Sequence, residues 1–404
     1  MQLLIYSGII LFPLQFLAIS LFSSTYDIST LIFLSITFIY LVHINNEKDF
    51  KKIYLTLILF TIFYSFVFLI FQNSPTHRFL SSLIWIGLYV SFYLLKKKIY
   101  YDVNIAKNLF IFIILISAVH CWYELFFEIG IENFNSNIKS RPSSFFVEPS
   151  YAGLVYFASS LAFFNIFLVS KNIKYQFLNL MIFFFLFLTG ISTLSMHLIT
   201  FFICIIITAF VYSRNKVILV KLIIISLFAI LFLMVIFLFT DFDLAFHILD
   251  RLKFGSILDT KSLSLLSWLR GLDQFLFVLK SQPITGMGPG STGEFEFYSF
   301  SGNILFHRGV YDLTLKDSYS LFFRLGIEFG IIFLLITSII LLVQLFEVRK
   351  LIKKDIVLMT NSQIFIFFFS MTCIVGSFIK EPNFARATLC VSLFFYFTIL
   401  EQRR

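Results

Sequence analysis

Charged side chains that could bind an anion or move a proton stand at a few places in an otherwise strongly apolar chain. Arg141 and Glu148 lie in the segment RPSSFFVEPSYAG, Arg270 begins RGLDQF, and Asp317 and Arg324 belong to KDSYSLFFRLGIEFG. The planar guanidinium of arginine can bind phosphate or carboxylate oxygens through two parallel hydrogen bonds. A carboxylate can accept a proton from a hydroxyl group, or it can stabilise the start of a helix. The elements that carry these residues decide which role applies.

The chain is too apolar to be a soluble protein. Hydrophobic residues make up 59% of its 404 positions, charged residues only 13%, and 59 residues are phenylalanine. A soluble domain of this length could bury a large core, but it could not cover its surface with so few charges. The composition therefore indicates a polytopic membrane protein.

Continuous apolar runs long enough to cross a hydrocarbon layer of about 30 Å recur along the chain, and they predict helices. We expect an all-α, single membrane domain over residues 1–404. Only TGISTLSMH interrupts residues 177–212, so the seventh and eighth spans could also be one long tilted helix, which would give eleven spans. The twelve predicted spans lie near 3–22, 27–44, 53–71, 80–95, 109–127, 152–170, 177–191, 195–212, 217–239, 320–346, 359–379 and 386–400.

The distribution of basic residues predicts the orientation of the chain. With the N-terminus inside, the inner segments hold 18 of the 31 Lys and Arg residues, and short basic loops stay in the cytoplasm. Both termini are therefore expected to be cytoplasmic, and the first apolar run, which lacks a cleavage site, to remain as an anchor. The net charge of +9 is mainly this topology signal, because no clustered basic face supports nucleic-acid binding. All four cysteines fall inside predicted spans, which argues against a disulfide framework.

Two outer segments, 128–151 and 240–319, break the pattern of short loops, and long loops commonly carry function. Within the longer one, apolar residues at helical spacing predict a helix near 262–282 that lies on the membrane surface and stops at a proline. The glycine-rich turn ITGMGPGSTGEFEF follows it. Gly288 and Gly290 lack the Gly-Lys-Ser/Thr of a nucleotide-binding loop, so they indicate a tight turn or a close backbone approach to a phosphate or sugar.

Three segments resemble those of the Wzy-type O-antigen polymerases, within the larger group that also contains the O-antigen ligases. They are the opening stretch with Arg141 and Glu148-Pro149-Ser150, the run RGLDQFLFVLKSQPITGMGPG, and KDSYSLFFRLGIEFG with its Glu-x-Gly. Twelve spans and one large periplasmic loop between the ninth and tenth fit the same family. The resemblance implies a GT-C-like glycosyltransferase architecture in the bacterial inner membrane, with the active site facing the periplasm.

The resemblance implies an enzyme that polymerises lipid-linked O-antigen repeat units. The growing glycan would pass from undecaprenyl pyrophosphate to a sugar hydroxyl of another unit linked to undecaprenyl pyrophosphate. The departing lipid pyrophosphate makes the reaction favourable, so no nucleotide or other cofactor is expected, and no outer His/Asp/Glu cluster has the spacing of a metal site. Membrane lipid, a chain-length regulator and a flippase are the further partners that the resemblance implies.

The resemblance also implies roles for individual residues. Negative charge builds on the phosphate oxygens as the glycosidic bond breaks, so arginines should contact the pyrophosphate. Glu148 and Asp317 are the candidate bases, although each could instead only stabilise a helix start. Arg324 could bind substrate or form an intramembrane ion pair with Glu328 at i+4. The candidate substrate-binding residues are Arg141, Arg270, Arg324, Lys316, His307, Gly288 and Gly290.

Two alternatives to a polymerase stay open at this point. A ligase would transfer the glycan to the lipid A core, but ligase-like members tend to carry a His-Asn pair where this chain has Lys316 and Asp317, and His307 lies nine residues upstream. A flippase for lipid-linked oligosaccharides should have two similar halves with charges near the membrane midplane. The unequal outer loops of this chain favour an enzyme that works at one face.

Overall fold

The computed structural model describes most of the chain, and the described residues fall into several ranges. These are residues 1–14, 18–21, 24–43, 59, 62–63, 76–96, 99–127, 142–146, 148–193, 195, 197–213, 215–223, 263–310, 315, 318–354, 359–380 and 386–402. The predicted span 53–71 lies almost entirely outside them.

In its described residues the protein is a helical bundle with one small β-hairpin. Five of the described helices are long and apolar enough to cross a membrane, which confirms a helical membrane protein; the count of twelve spans stays a prediction. In chain order the elements are α1 Gln2–Ile10, β1 Ala18–Leu21, β2 Ser24–Asp27, α2 Ile28–His43, α3 Thr76–Leu95, α4 Val103–Phe127, α5 Pro149–Val169, α6 Ile173–Ser192, α7 His197–Val211, α8 Leu263–Ser281, α9 Phe300–His307, α10 Leu321–Lys354, α11 Asn361–Ile379 and α12 Ala387–Thr398.

The first predicted span, 3–22, is wrong as a continuous helix. Helix α1 ends at Ile10, and β1 pairs with β2 in antiparallel register, with Ala18 opposite Asp27. Pro13 explains the break, because proline has no N–H to donate and disfavours helical geometry in the residue before it. The hydrophobic run alone concealed this interruption.

The stretch 177–212 forms two helices rather than one. Helix α6 ends at Ser192 and α7 begins at His197. The rings of Phe187 and Phe201, 14 positions apart, have centroids separated by 5.0 Å. A straight helix would place such residues about 21 Å apart. The chain therefore turns between α6 and α7, and side chains of the two helices meet.

Helices α5 and α11 form the centre of the bundle, since nearly all their residues are buried. Glycines let neighbouring elements approach closely: a Cβ at Gly153 would lie 2.6 Å from the Ser195 Cβ, and a Cβ at Gly190 would lie 2.9 Å from the Phe157 ring. At the end of the bundle that holds Gly153, Arg386 donates a hydrogen bond to the buried Asp27 (3.1 Å). This bond links the start of α12 to the β-hairpin.

Candidate functional site

Helix α8 carries a buried polar face in the large loop after the predicted ninth span. The helix covers Leu263–Ser281, which confirms the helix predicted near 262–282. Ser267, Arg270 and Gln274 lie at i, i+3 and i+7 and share one face of the helix. Each is at most 2% exposed. We call these three residues the α8 face; it faces protein, so α8 is more than a helix resting on the membrane surface.

Gln274 holds one polar atom that the described protein does not use. The Ser318 hydroxyl lies 2.9 Å from Gln274 Oε1, while Gln274 Nε2 and the Ser267 hydroxyl have no hydrogen-bond partner among the described residues. Turning the amide over would exchange the two atoms and leave the other one unpaired. A buried polar group without a partner costs stability, so this amide suits a ligand atom.

The short helix α9 packs against Arg270. Ser299 caps α9 by accepting a hydrogen bond from the Gly302 N–H (2.9 Å), and it donates to the Asp273 carboxylate (2.7 Å). A Cβ at Gly302 would lie 3.3 Å from Arg270 Cδ. Helix α9 therefore holds the stem of the buried arginine in place.

The start of α10 closes the other side of α8. Gly271 allows the Ser318 carbonyl to contact the α8 backbone, because any side chain there would collide with that oxygen. Ser318 and Tyr319 both have positive φ (55° and 60°), which is uncommon for residues other than glycine. The Trp268 indole donates to the carbonyl of Ile379 (3.1 Å), so α8 also contacts the end of α11.

Beside the α8 face, charged residues hold the glycine-rich loop against α10. Arg78 at the start of α3 donates to the Thr292 carbonyl (3.0 Å) and pairs with Glu294 (2.5 Å). The Arg324 Nε lies 2.9 Å from Oε1 of the fully buried Glu328, and this oxygen also accepts from Thr292 Oγ1 (3.0 Å). We call these five residues the loop clamp.

The backbone of the glycine-rich loop hydrogen-bonds to a break in α10. Gly330 has φ 78° and ψ 175°, which is not helical. The Met287 N–H donates to the Ile327 carbonyl (2.8 Å), and the Ile331 N–H donates to the Pro283 carbonyl (2.8 Å). A Cβ at Gly286 would lie 2.6 Å from the Ile327 carbonyl oxygen. The Glu-x-Gly motif of residues 328–330 thus places the buried Glu328 two residues before Gly330, where the α10 backbone hydrogen-bonds to the loop.

Gly288 and Gly290 occupy the middle of this loop, both with positive φ (96° and 75°). A Cβ at Gly290 would lie 2.6 Å from the Arg78 backbone carbon. For Gly290 the close approach is therefore to the protein's own α3, and the positive φ of both glycines fits a tight turn. The predicted contact of these glycines with substrate stays a prediction.

The segment that precedes α5 is held by a buried carboxylate on α4. Glu124 Oε2 accepts from the N–H groups of Ser143 (3.0 Å) and Ser144 (2.7 Å). Glu148 is the N-cap residue of α5 and is exposed. Its side chain makes no capping hydrogen bond and instead accepts one from Ser150 Oγ (3.1 Å). The Glu148 carboxylate therefore does not cap this helix through a hydrogen bond.

The other predicted site residues divide into three groups. Arg141, Lys316 and Asp317 lie outside the described residues. His307 is exposed at the end of α9. Arg324 forms the predicted ion pair with Glu328, which is confirmed at 2.9 Å.

The sequence did not indicate Gln274, Asp273 or Glu124 as candidate residues, and it did not indicate the structural role of Arg78. Gln274 had one usable signal, since it follows Arg270 by one helical turn on a helix that was correctly predicted. The others depend on contacts between distant segments. No group of three or more His, Cys, Asp and Glu side chains that could hold a metal ion lies within the described part of the chain.

An apolar cleft runs along α10 beyond the loop clamp. It has a volume of about 90 Å³ and is lined by residues of α3, α10, α11 and α12, among them Tyr89, Leu321, Leu325, Phe378 and Phe397. Leu321 and Leu325 flank Arg324 in the sequence of α10. The cleft therefore begins next to the charged end of the bundle.

No protein-family model matches the chain, and no curated protein matches it significantly.

Proposed function

We propose that this protein is a polymerase of lipid-linked glycan repeat units, of the O-antigen polymerase type. The observation that carries the proposal is the convergence of three segments at one end of the bundle. The start of α5 reaches the end of α11 through Leu154 and Gly376, and α8 reaches it through Trp268 and Ile379. The start of α10 reaches it through Ser320, which donates to the Phe378 carbonyl (2.6 Å). These are the segments whose residues resemble the polymerase family.

Arg270 is the proposed contact to the donor pyrophosphate. It is a buried arginine on a helix whose neighbouring Gln274 keeps an unused amide atom. Arginine stays protonated and can bind two phosphate oxygens at once. The amide can then bind a phosphate or sugar oxygen, which would recover the cost of burying it. Arg141 is the second proposed phosphate contact, as its sequence segment indicates.

The apolar cleft supports a lipid-linked donor. A polyprenyl chain needs an apolar path in the membrane that starts beside the residues that bind its head group. The cleft beside Leu321 and Leu325 has this position and an almost wholly hydrocarbon lining. Arg324, between these two residues, pairs with Glu328, so its proposed part is to hold the loop close to the head group while contributing positive potential.

In the proposed reaction, the bond between the anomeric carbon and the pyrophosphate oxygen breaks, and its electron pair leaves with the phosphate. The acceptor hydroxyl oxygen forms the new glycosidic bond and gives up its proton to a carboxylate. Glu148 and Asp317 are the proposed bases. Glu148 suits this role because its side chain is exposed and, among the described residues, it accepts a hydrogen bond only from Ser150. Lys316 and His307 are proposed as glycan contacts.

The proposal includes the larger architecture that the sequence predicts. It has twelve spans in a GT-C-like arrangement in the bacterial inner membrane, with both termini in the cytoplasm and the site at the periplasmic face. The partners would be undecaprenyl-pyrophosphate-linked oligosaccharide, membrane lipid, a chain-length regulator and a flippase.

The test is a gene deletion complemented by the wild type or by Arg270→Lys, with surface polysaccharide read as a ladder on a gel at matched protein levels. If the protein is a polymerase, the deletion should leave lipid A core bearing one repeat unit. Bare core with accumulated lipid-linked polymer would instead mean ligation, and single lipid-linked units trapped at the inner face would mean flipping. Arg308→Gln is the matched control, because Arg308 is an exposed cation just beyond α9.

A further inference from the structure

A polar pocket lies at the opposite end of the bundle from the α8 face. It has a volume of about 280 Å³ and lies between the end of α7 and the far end of α10. Its lining includes Tyr212, Ser213, Asn215, Lys216, Arg349 and Ile352. Arg349 is 28 residues beyond the first residue of α10, so this pocket is separate from the proposed glycan site.

The charge of this pocket is positive and unbalanced within the described protein. Arg349 Nη2 donates to Ser213 Oγ (2.9 Å), and its guanidinium carbon lies 4.0 Å from the centre of the Phe210 ring. These contacts fix the guanidinium but do not neutralise it. Neither Arg349 nor Lys216 forms an ion pair in the part of the chain that the structure describes. An anion would complete the site.

Tyr212 adds a neutral hydrogen-bonding group to the same pocket. The residue is only 1% exposed, and its hydroxyl has no hydrogen-bond partner among the described residues. Its ring packs against Phe368, with centroids 6.0 Å apart, which holds the side chain in place. A buried hydroxyl without a partner lowers the stability of the fold. A phosphate oxygen could accept a hydrogen bond from the Tyr212 hydroxyl.

The surface next to the pocket is suited to hydrocarbon. Ile206 and Phe210 on α7 and Leu342 and Phe346 on α10 are exposed apolar side chains, and the Phe210 and Phe346 rings lie 5.6 Å apart in an edge contact. The basic pocket therefore continues directly into an exposed apolar strip. A molecule with an anionic head and hydrocarbon chains matches both parts, whereas a free phosphate ion would match only the first.

We propose that this pocket binds the head group of an anionic phospholipid of the inner leaflet, with Arg349, Lys216 and the Tyr212 hydroxyl as ligands of its phosphate. Basic pockets between transmembrane helices are a known way to recognise such lipids. The site is independent of the proposed polymerase activity. A bound lipid would link the far end of α10 to the end of α7, which both line this pocket.

The test is the thermal stability of the purified full-length protein in detergent, titrated with phosphatidylglycerol, phosphatidylcholine or inorganic phosphate. We expect phosphatidylglycerol to raise the melting temperature and the other two to have little effect. Arg349→Gln and the exposed Lys216→Gln should each raise the phosphatidylglycerol concentration that gives half of the effect by about fivefold. Lys216→Gln keeps the test valid if the Arg349 variant folds poorly.

Lys280→Gln is the control, since Lys280 is an exposed cation at the end of α8 and its loss should change nothing. An equal response to phosphatidylcholine, or an equal response to inorganic phosphate, would overturn the proposal of an anionic lipid. So would an unchanged phosphatidylglycerol titration in both the Arg349 and the Lys216 variant.

Discussion

The α8 face and the loop clamp both lie near the start of α10, but they differ in whether their polar groups are paired. In the clamp, Arg324 faces Glu328 and Arg78 faces Glu294. Glu328 Oε2 lacks a hydrogen-bond partner among the described residues, but its charge is balanced by Arg324 and by Arg78. On the α8 face, Gln274 and Ser267 both keep a buried polar atom that no described residue uses.

This difference separates a structural role from a binding role. Charged side chains that pair with each other inside the protein hold the glycine-rich loop in place. Few of their hydrogen-bonding atoms are available to a ligand. Buried polar atoms without partners lower stability, and they are understandable where a substrate atom completes them. The clamp should therefore govern folding, and the α8 face should govern activity.

The largest expected effect is loss of the clamp charge in Glu328→Ala. The substitution removes the buried carboxylate that pairs with Arg324, and breaking a buried ion pair in this way should cost about 3–5 kcal/mol of folding free energy. We expect a large fall in the thermal stability of the purified protein and in its amount in the membrane. Thr292→Val, which removes one hydrogen bond to Glu328, should cost only about 1 kcal/mol. Equal stability of wild type and Glu328→Ala would contradict a structural clamp.

Arg270→Lys should affect activity much more than stability. Lysine keeps the charge and much of the stem that packs on Gly302, but it cannot bind two phosphate oxygens in a planar fork. The lost hydrogen bond to a charged group corresponds to about 1.5–3 kcal/mol, which is roughly 10–100-fold in polymer formation. Polymer per unit of folded protein is the measurement. A variant that lost stability and activity in parallel would place Arg270 with the clamp.

Gln274→Met should lower activity while leaving stability about unchanged. Methionine has a similar shape and removes the unused amide atom, which should offset the hydrogen bond that Ser318 loses. Activity should fall by about five- to tenfold if the amide binds substrate. Thermal melting and the polymer ladder are measured on the same preparation. Unchanged activity would show that Gln274 only packs.

The smallest effect is expected for Glu294→Gln. Its partner Arg78 keeps the bond to the Thr292 carbonyl, and the Glu294 side chain is 24% exposed, so the pair is partly screened by solvent. We expect less than about 1 kcal/mol of destabilisation and normal polymer length. A strong loss of activity without unfolding would move the glycine-rich loop from the structural group into the site.

Periodicity and composition predicted the helices that position the site, and local spacing predicted the Arg324–Glu328 pair. Helix α8 was predicted nearly to its ends because its apolar residues recur at helical spacing and a proline follows. The first span was predicted wrongly because its hydrophobicity outweighed Pro13.

The remaining features of the site depend on long-range contacts. Arg78 and Thr292 are 214 positions apart, so no local pattern links them. The use of Gly290 against α3, and of Gly330 as the break that receives the loop, likewise appears only when the segments are packed together. Gln274 became a candidate because its partners leave one amide atom unused, which no spacing in the sequence encodes.

The most direct test of the division between clamp and α8 face is the binding of undecaprenyl pyrophosphate to purified wild type, Arg270→Lys and Glu294→Gln. Binding is followed by the rise in melting temperature as the lipid is added. We expect a clear rise for wild type and Glu294→Gln, and a much smaller one for Arg270→Lys at the same lipid concentration. A full rise in Arg270→Lys, or its loss in Glu294→Gln alone, would contradict the assignment of the α8 face as the pyrophosphate site.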